Sequence, residues 1–325
     1  MLLLSIMKIS RKWILLAITI VILAILFLSV DFPSAVDAIR KAEWRYLAIA
    51  TAISFVFPFL CAIRWNVIVL QLGVHLGLWE SFKIIMAAWP MGAVTPAKSG
   101  DLVKLLFLKN VLPYSKTTGV ILAERLMDVI ALCCYAVIWG LIYQFETAAT
   151  LAGLMLIGVL VFLLLAASPL VQKIPVKWRT LVLNLFEATK KMVLQIKSFV
   201  LILAITFLNW FCTFLQIWLC YQAFHVDVPF FYIMAALPIA IFIGLLPITL
   251  SGMGTRDSAV IFLFREFAPY EVNLAVGILY SIFGYWLLSL LGIPFMRAAF
   301  GGSIGGIKGE DLKQRVFEPQ PDVES

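Results

Sequence analysis

The stretch TPAKSGDLVK, residues 95–104, interrupts a segment that is otherwise apolar. Apolar residues occupy positions 84–94 before it and 105–108 after it. A proline, a glycine, two lysines and an aspartate do not suit a lipid-facing helix, because lipid offers exposed peptide groups no hydrogen-bond partners. Irregular backbone is tolerated at that depth where protein buries it or where it lines a water-filled cavity. The stretch therefore predicts a broken helix inside a membrane-embedded segment.

The composition is typical of an all-α polytopic membrane protein. Hydrophobic residues make up 63% of the 325 positions, 13% are charged, and the mean hydropathy is +1.04. Since soluble proteins carry about 25% charged residues, a separate soluble domain is excluded. The net charge of +7 is first a topology signal, and no basic soluble segment favours nucleic-acid binding. The five cysteines lack the spacing of a metal site, so we expect no metal and no other cofactor.

Apolar runs long enough to cross a bilayer recur along the chain. The predicted spans are about six in number and cover residues 13–30, 46–64, 118–143, 149–168, 198–222 and 272–297. Two further apolar segments, 82–108 and 230–264, are broken, the second by the sequence LPITLSGMGTRD. Most basic residues fall on the cytoplasmic side if both broken segments leave the membrane where they entered it. We therefore predict two re-entrant helical hairpins, with the N- and C-termini in the cytoplasm.

On this topology the two hairpins enter from opposite sides, which predicts an inverted repeat. The sequence IMAAWP at 85–90 is echoed by IMAALP at 233–238. Inverted repeats with broken helices near the membrane midplane recur in transporters. The predicted organisation is a single transmembrane domain at 1–300, with repeats at about 46–143 and 198–297, and a flexible cytoplasmic tail at 301–325.

Both breaks carry the ingredients of an anion site. We expect the first helix to restart at Gly100 or Asp101 with Ser99 as its cap, and the second to have Thr255 as its cap. A helix N-terminus offers free N–H groups and about half a positive charge, which together with basic side chains suit a phosphate. The alternative is two structural loops whose charges pair with each other. The candidate substrate-binding residues are Lys98, Ser99, Gly100, Asp101 and Lys104 in the first break, and Gly252, Gly254, Thr255, Arg256 and Asp257 in the second.

The sequence AERLMD at 123–128 places ionisable residues near the start of a span. Glu124 and Asp128 share a helix face, and Arg125 can bridge to Asp128. Such residues are costly in a membrane and usually face a cavity or a partner, although pairing at the cytoplasmic end of a helix is an alternative. Arg64, at the predicted end of the second span, is either a fourth member of this binding group or an interfacial anchor.

In this order the motifs resemble a flippase-like membrane family typified by the transmembrane region of lysylphosphatidylglycerol synthase. Its pattern has Arg-Trp, then Pro-x-x-x-Gly-Glu with a basic residue, Glu-Arg-x-x-Asp, and a late proline with Gly-x-Gly-x-Arg-Glu. The matching residues are Arg64 and Trp65; Pro96, Gly100, Asp101 and Lys104; Glu124, Arg125 and Asp128; and Pro247, Gly252, Gly254, Arg256 and Asp257. Aspartate replaces glutamate at 101 and 257, and lysine stands at 104 where arginine is commoner.

The resemblance implies lipid translocation by a stand-alone member without the soluble aminoacyl-transferase domain, in the bacterial cytoplasmic (inner) membrane. It implies membrane lipids as partners, anionic or phosphate-bearing, and it raises a partner synthase or glycosyltransferase as a further partner. The residues themselves contain no catalytic motif, which favours a transporter over an enzyme. Two alternatives stay open: a membrane enzyme or accessory subunit acting on a lipid-linked substrate, and a scaffold for a partner synthase.

Overall fold

The computed structural model describes residues 40–93, 95–108 and 112–300, and within these it leaves out the side chains of 96–99, 177, 250 and 297–300. This part of the chain is helical and contains no strand. The predicted first span at 13–30 and the predicted tail at 301–325 lie outside the described residues.

The helices are named here in chain order. They are α1 (Trp44–Ser54), α2 (Val56–Leu70), α3 (Leu78–Ala93), α4 (Lys104–Leu108), α5 (Tyr114–Ile142), α6 (Glu146–Ala167), α7 (Val176–Leu194), α8 (Ile196–Ala223), α9 (Phe230–Leu245), α10 (Thr255–Phe264), α11 (Tyr270–Ser281) and α12 (Leu287–Phe300). Short 3₁₀ helices cover Pro96–Val103, Pro169–Lys173 and Leu250–Gly252, and a π-helical turn, Ile282–Trp286, joins α11 to α12.

Within the described residues, five helical segments are long and apolar enough to cross a membrane: Trp44–Leu70, Tyr114–Ile142, Glu146–Ala167, Ile196–Ala223 and Tyr270–Met296. They coincide with the five predicted spans that fall in this part of the chain. The end of the second predicted span is wrong, because α2 continues past residue 64 to Leu70. The chain is therefore an all-α polytopic membrane protein.

The distribution of side chains is the reverse of that in a soluble protein. Large apolar side chains such as Leu154, Ile157 and Leu164 of α6 are exposed, whereas the charged side chains of Arg64 and Glu124 are buried. Leucine and isoleucine on the outside suit lipid, in which a charge would be costly. The bundle thus presents an apolar surface and keeps charge in its interior.

Both broken segments fold back on themselves. In the second, the hydroxyl of Tyr232, near the start of α9, donates to the carbonyl of Leu263, near the end of α10, at 3.0 Å. In the first, Phe107 at the end of α4 packs in one cluster with Ile84 of α3. The two limbs of each segment are therefore antiparallel, and the predicted helical hairpins are confirmed.

Glycines determine where the hairpins turn. A Cβ at Gly100 would clash with the backbone of Met91, so the 3₁₀ helix can lie against the end of α3 only with glycine there. Gly252 has a φ of 75°, in the left-handed region, and a Cβ there would lie 2.6 Å from the carbonyl oxygen of Gly244. Only glycine combines that backbone angle with that close approach.

The predicted start of the first restarting helix is wrong. The helix begins as a 3₁₀ helix at Pro96, several residues before Gly100, and Thr95 rather than Ser99 is its N-cap residue. The Oγ1 of Thr95 accepts a hydrogen bond from the backbone N–H of Gly100 at 2.7 Å. Proline has a backbone angle suited to the first turn of a helix, which moves the start to this position.

The predicted cap of the second restarting helix is also wrong. Thr255 is the first residue of α10, and Gly254 precedes it as the N-cap residue. The carboxylate of Asp257 accepts a hydrogen bond from the backbone N–H of Gly254 at 3.0 Å. The Oγ1 of Thr255 instead lies 2.9 Å from that of Thr249. An acidic residue three positions into the helix therefore satisfies the N-terminal donor that threonine was expected to satisfy.

The two halves of the bundle run in opposite directions. The backbone N–H of Glu43, just before α1, donates to the carbonyl of Ala223, the last residue of α8, at 2.8 Å. Further along, Arg64 of α2 bonds Thr206 of α8, so the two spans are antiparallel. Each half has the order span, hairpin, span. This geometry supports an inverted repeat, and the boundaries given above for the two repeats stay a prediction.

The tips of the two hairpins meet inside the bundle. The Oγ of Ser251, in the second tip, lies 2.8 Å from the carbonyl oxygen of Gly92 and 2.6 Å from that of Ala93, at the end of α3. These two carbonyl groups lie at the C-terminal end of α3, where the helix has no N–H group left to bond to them. The hydroxyl of Ser251 can donate to either one. The backbone of Ser251 has a φ of 51°, in the left-handed region that is unfavourable for residues other than glycine. The turn that directs this side chain toward the first hairpin tip is therefore strained.

Candidate functional site

A cavity of about 120 Å³ lies where the first hairpin faces α2, α5, α8 and the π-helical turn. This is room for several water molecules. Its wall includes the aromatic residues Trp89, Trp210, Tyr280 and Tyr285. The charged residues that line it are Arg64, Asp101, Lys104, Glu124, Arg125 and Asp128.

Arg64 is the centre of the charged group, and its side chain is only 2% exposed. Its Nη1 donates to Asp128 Oδ1 at 2.6 Å and to Thr206 Oγ1 at 3.1 Å. Its Nη2 donates to Glu124 Oε1 at 2.9 Å. One guanidinium therefore links α2, α5 and α8, and it uses the fork of donors that lysine lacks. The alternative role of Arg64 as an interfacial anchor is wrong.

Lys104 joins the first hairpin to this group. Its Nζ donates to Glu124 Oε2 at 2.7 Å, so the two oxygens of Glu124 bind two different cations. The ammonium also lies 4.6 Å from the centroid of the Trp65 ring, within the range of a cation–π contact. The lysine, the glutamate and the indole are all buried, so these contacts form in a region of low dielectric constant.

Arg125 and Asp101 form the accessible edge of the group. The Nη1 of Arg125 lies 2.9 Å from Asp128 Oδ2, and its Nη2 lies 3.0 Å from Asp101 Oδ2. The side chain of Arg125 is 33% exposed and that of Asp101 is 19% exposed. The predicted bridge from Arg125 to Asp128 is therefore present, and it continues to the first hairpin through Asp101.

The charges of this group balance. Among the described residues that line the cavity, three cations (Arg64, Lys104 and Arg125) stand against three carboxylates (Asp101, Glu124 and Asp128). Taking each charge out of water costs several kcal/mol, and only good geometry with a partner offsets that cost. Here each cation lies within 3.0 Å of a carboxylate oxygen. We refer to these six residues as the charge network.

A second, smaller charged group lies at the second hairpin. Arg256 Nη2 donates to Asp257 Oδ1 at 2.7 Å and to Ser281 Oγ at 2.5 Å. The guanidinium carbon lies 4.1 Å from the centroid of the Tyr280 ring. Arg256 also faces a separate space of about 10 Å³, close to the size of one water molecule. Tyr280 and Tyr285 line both this space and the larger cavity, so they form the wall between them.

No group of three or more His, Cys, Asp or Glu side chains in residues 40–93, 95–108 and 112–300 is arranged to hold a metal ion.

Comparison with known proteins places this architecture in a family. The family model described as "Lysylphosphatidylglycerol synthase TM region" matches residues 13–292 of the chain. The chain belongs to this family. The resemblance read from the motifs is therefore confirmed, and the match covers both hairpins and every candidate site residue.

The chain is also similar along most of its length to archaeal membrane proteins. A UPF0104 membrane protein of Methanothermobacter thermautotrophicus is 24% identical, over 90% of this chain and 96% of the relative. One of Archaeoglobus fulgidus is 24% identical, over 92% and 98%. One of Methanocaldococcus jannaschii is 20% identical, over 88% and 94%. The names of these relatives describe membrane proteins and state no activity.

Within this member of the lysylphosphatidylglycerol synthase transmembrane family, the structure separates the predicted site residues into groups. The charge network brings six of them together. Arg256 and Asp257 form the second group, and Gly100, Gly252 and Gly254 serve the turns. Thr255 contacts Thr249, and the side chains of Lys98 and Ser99 lie outside the described part.

Sequence reasoning missed the residues that complete both groups. Thr206 accepts from Arg64, and the Nε1 of Trp210 donates to Asp128 Oδ1 at 3.2 Å. They lie four positions apart on α8, a spacing that puts them on one face of a helix, and this is the signal that could have found them. Ser281 and Tyr280, which contact Arg256, adjoin the π-helical turn, and no comparable spacing in the sequence marks them.

Proposed function

We propose that this chain moves a phosphate-bearing membrane lipid across the cytoplasmic membrane, as a lipid transporter of the flippase type. The observation that carries the proposal is the cavity of about 120 Å³ lined by the charge network, at the level where the two hairpin tips meet. Transporters built from inverted repeats hold their substrates near the midplane, at broken helices of this kind.

A balanced network of buried charges is better explained by binding than by stability. Apolar residues of the same volume are commonly as stabilising as buried ion pairs, or more so. Charged side chains inside a membrane usually face a cavity and serve transport. The network supplies charged hydrogen-bonding partners that replace water around a polar head group. The acyl chains meanwhile stay in the bilayer along the apolar outer surface.

The proposed roles follow from the contacts. Arg125 and Lys104 would bind the phosphate, because they lie at the cavity and are paired in this structure with carboxylates that a phosphate can replace. Asp101, Glu124 and Asp128 would neutralise the charge of these cations in the interval between the release of one lipid and the binding of the next. Arg256 would bind the phosphate in the second half of the transport path through the protein, once Tyr280 and Tyr285 move apart.

The charge of the two ends of the bundle supports a cytoplasmic C-terminus and, together with the span predicted at 13–30, a cytoplasmic N-terminus. α7 packs against the start of α5, where Gly119 contacts Asn184. α7 and the N-terminal end of α5 therefore lie at the same end of the bundle. Basic residues at that end include Lys116, Lys173, Arg179, Lys190, Lys191 and Lys197. The opposite end, where α8 finishes and the second hairpin begins, has Arg40, Lys41, Arg45 and Arg265 beside Glu43, Glu146, Asp227, Glu266 and Glu271. Positive charge accumulates on the cytoplasmic side of membrane proteins, which supports a cytoplasmic position for the first end.

A vesicle assay tests the proposal. The purified chain is reconstituted with phospholipids that carry a fluorophore on an acyl chain and keep their head groups intact. Dithionite, which does not cross the bilayer, destroys only label in the outer leaflet, so translocation raises the fraction destroyed above that in protein-free vesicles. A wild-type rate equal to that of protein-free vesicles would remove the lipid-transport proposal.

Two variants test the residues. Asp101→Asn and Arg256→Gln each remove at least one charge-assisted contact, so we expect at least about a tenfold lower rate, the factor that corresponds to 1.4 kcal/mol. Asp227→Asn makes the same chemical change as Asp101→Asn on an exposed loop, and we expect the wild-type rate. If the first two variants fold normally and transport at the wild-type rate, the site assignment is wrong, and a scaffold for a partner synthase or glycosyltransferase becomes the better proposal.

A further inference from the structure

The charge network has no surplus charge to offer a ligand. Over the described side chains that line the cavity, cations and carboxylates are equal in number. A ligand with a net charge would therefore leave one charge uncompensated inside the membrane. Since an uncompensated charge at this depth is strongly unfavourable, the neutral network disfavours both purely anionic and purely cationic head groups.

The network nevertheless has atoms ready to bind charges of both signs. Among the described residues, Arg64 Nε and Arg125 Nε are buried without a hydrogen-bond acceptor. Asp101 Oδ2 is also buried without a hydrogen bond: it lies at ion-pair distance, 3.0 Å, from Arg125 Nη2 but is not aligned with one of its N–H groups. Two donors and one acceptor are thus unsatisfied, and buried polar atoms are normally satisfied by a ligand or by water.

An aromatic wall adds a second feature suited to a cation. The ring of Trp89 lines the same cavity as Asp101, and its Nε1 donates to the carbonyl of Gly284 at 3.0 Å, which fixes the position of the indole. Trp210, fixed through Asp128, lines it as well. Indole faces attract ammonium groups, most strongly where water is excluded.

We propose, on the basis of the transport function above, that the site selects a phospholipid head group with no net charge, in which a phosphate and an ammonium group are joined. The phosphate accepts from the arginine donors, and the ammonium lies against Asp101 and the aromatic wall. Each ligand charge meets the opposite charge of the network, and the sum of charges in the membrane interior stays zero. Phosphatidylethanolamine is the simplest lipid of this class, and phosphatidylglycerol, with the same phosphate and no amine, is its anionic counterpart.

Native mass spectrometry of the purified full chain tests the selectivity. The chain is exposed to equal amounts of phosphatidylethanolamine and phosphatidylglycerol with identical acyl chains, and the ratio of the two bound lipids is measured. We expect a ratio of about ten or more in favour of phosphatidylethanolamine, since an energy difference of 1.4 kcal/mol already gives tenfold. Asp101→Asn leaves the network with one extra positive charge, so its ratio shifts toward phosphatidylglycerol by at least about tenfold.

One control variant and one further competition make the result specific to the cavity and to net charge. Asp227→Asn adds the same charge outside the cavity and leaves the ratio unchanged. The wild type is also offered phosphatidylcholine against phosphatidylglycerol: phosphatidylcholine joins a phosphate to a quaternary ammonium and has no net charge, so we expect it to be preferred by about tenfold or more as well. This second measurement keeps the inference open to refutation if Asp101→Asn does not fold.

The outcomes separate this inference from the transport proposal. A preference of the wild type for phosphatidylglycerol, equal binding of both lipids, or equal ratios for Asp101→Asn and Asp227→Asn would overturn the charge selectivity, while translocation in vesicles would leave transport standing. Equal binding of phosphatidylcholine and phosphatidylglycerol, or a preference for phosphatidylglycerol over phosphatidylcholine, would overturn it too. Absence of both lipid binding and translocation would overturn both proposals.

Discussion

Replacing Arg64 with methionine tests whether the charge network acts as one unit. The substitution keeps an unbranched apolar side chain but removes the cation that bonds Asp128 at 2.6 Å, Glu124 at 2.9 Å and Thr206 at 3.1 Å. Arg64 is buried, and its loss leaves the network with one more carboxylate than cation. Because breaking a buried ion pair by removing one partner costs about 3–5 kcal/mol, we expect the free energy of unfolding to fall by that amount.

The assay is equilibrium unfolding of the purified chain in mixed micelles of increasing SDS content, followed by tryptophan fluorescence. The matched control is Arg45→Met, which removes an arginine that is 74% exposed and lies 3.4 Å from Glu43. Such a surface pair contributes at most about 1 kcal/mol, so the control should change stability little. The double variant Arg64→Met, Asp128→Asn restores charge balance and should recover about 0.5–3 kcal/mol of the loss. If Arg64→Met costs no more than Arg45→Met, the reasoning about a coupled buried network is refuted.

Three further tests address the fold around the site and the topology. Gly100→Ala should lower stability by about 1–3 kcal/mol in the same micelle assay, because its Cβ meets the backbone of Met91, and an unchanged midpoint would contradict the close approach. Ser251→Ala removes the hydroxyl that joins the hairpin tips and should speed hydrogen exchange at Gly92, Ala93 and Thr95; exchange at the wild-type rate would contradict a contact there. In a cysteine-free background, Asp227→Cys should react with an impermeant maleimide added to intact cells, and Lys197→Cys only after permeabilisation; the reverse pattern would invert the topology.

The broken helices could be predicted from the sequence because their signals are local. Proline, glycine and charged residues inside an apolar run leave few alternatives in lipid, and the charge of the loops then decides on which side each hairpin leaves. The pairing of Glu124 and Asp128 on one face also follows from helical spacing alone. These parts of the prediction depend on chain neighbours, which a single sequence contains.

The errors arise where distant parts of the chain decide the outcome. Sequence alone predicts the end of a span at Arg64, because a charge normally ends an apolar run, whereas carboxylates 60 and 64 positions away allow Arg64 to be buried. Residue type alone predicts caps at 99 and 255, but Thr95 and Asp257 have the geometry to satisfy the N–H groups. Tertiary partners of this kind cannot be read from spacing.

The most direct test of the central claim, that the cavity holds a lipid head group, is identification of the lipid that copurifies with the chain from native membranes. Mass spectrometry would compare the wild type with the double variant Asp101→Asn, Arg256→Gln. The account predicts one phospholipid class enriched over the bulk membrane in the wild type and lost in the variant. The same unselective mixture in both proteins would contradict it and would leave the charged hairpins with a structural role.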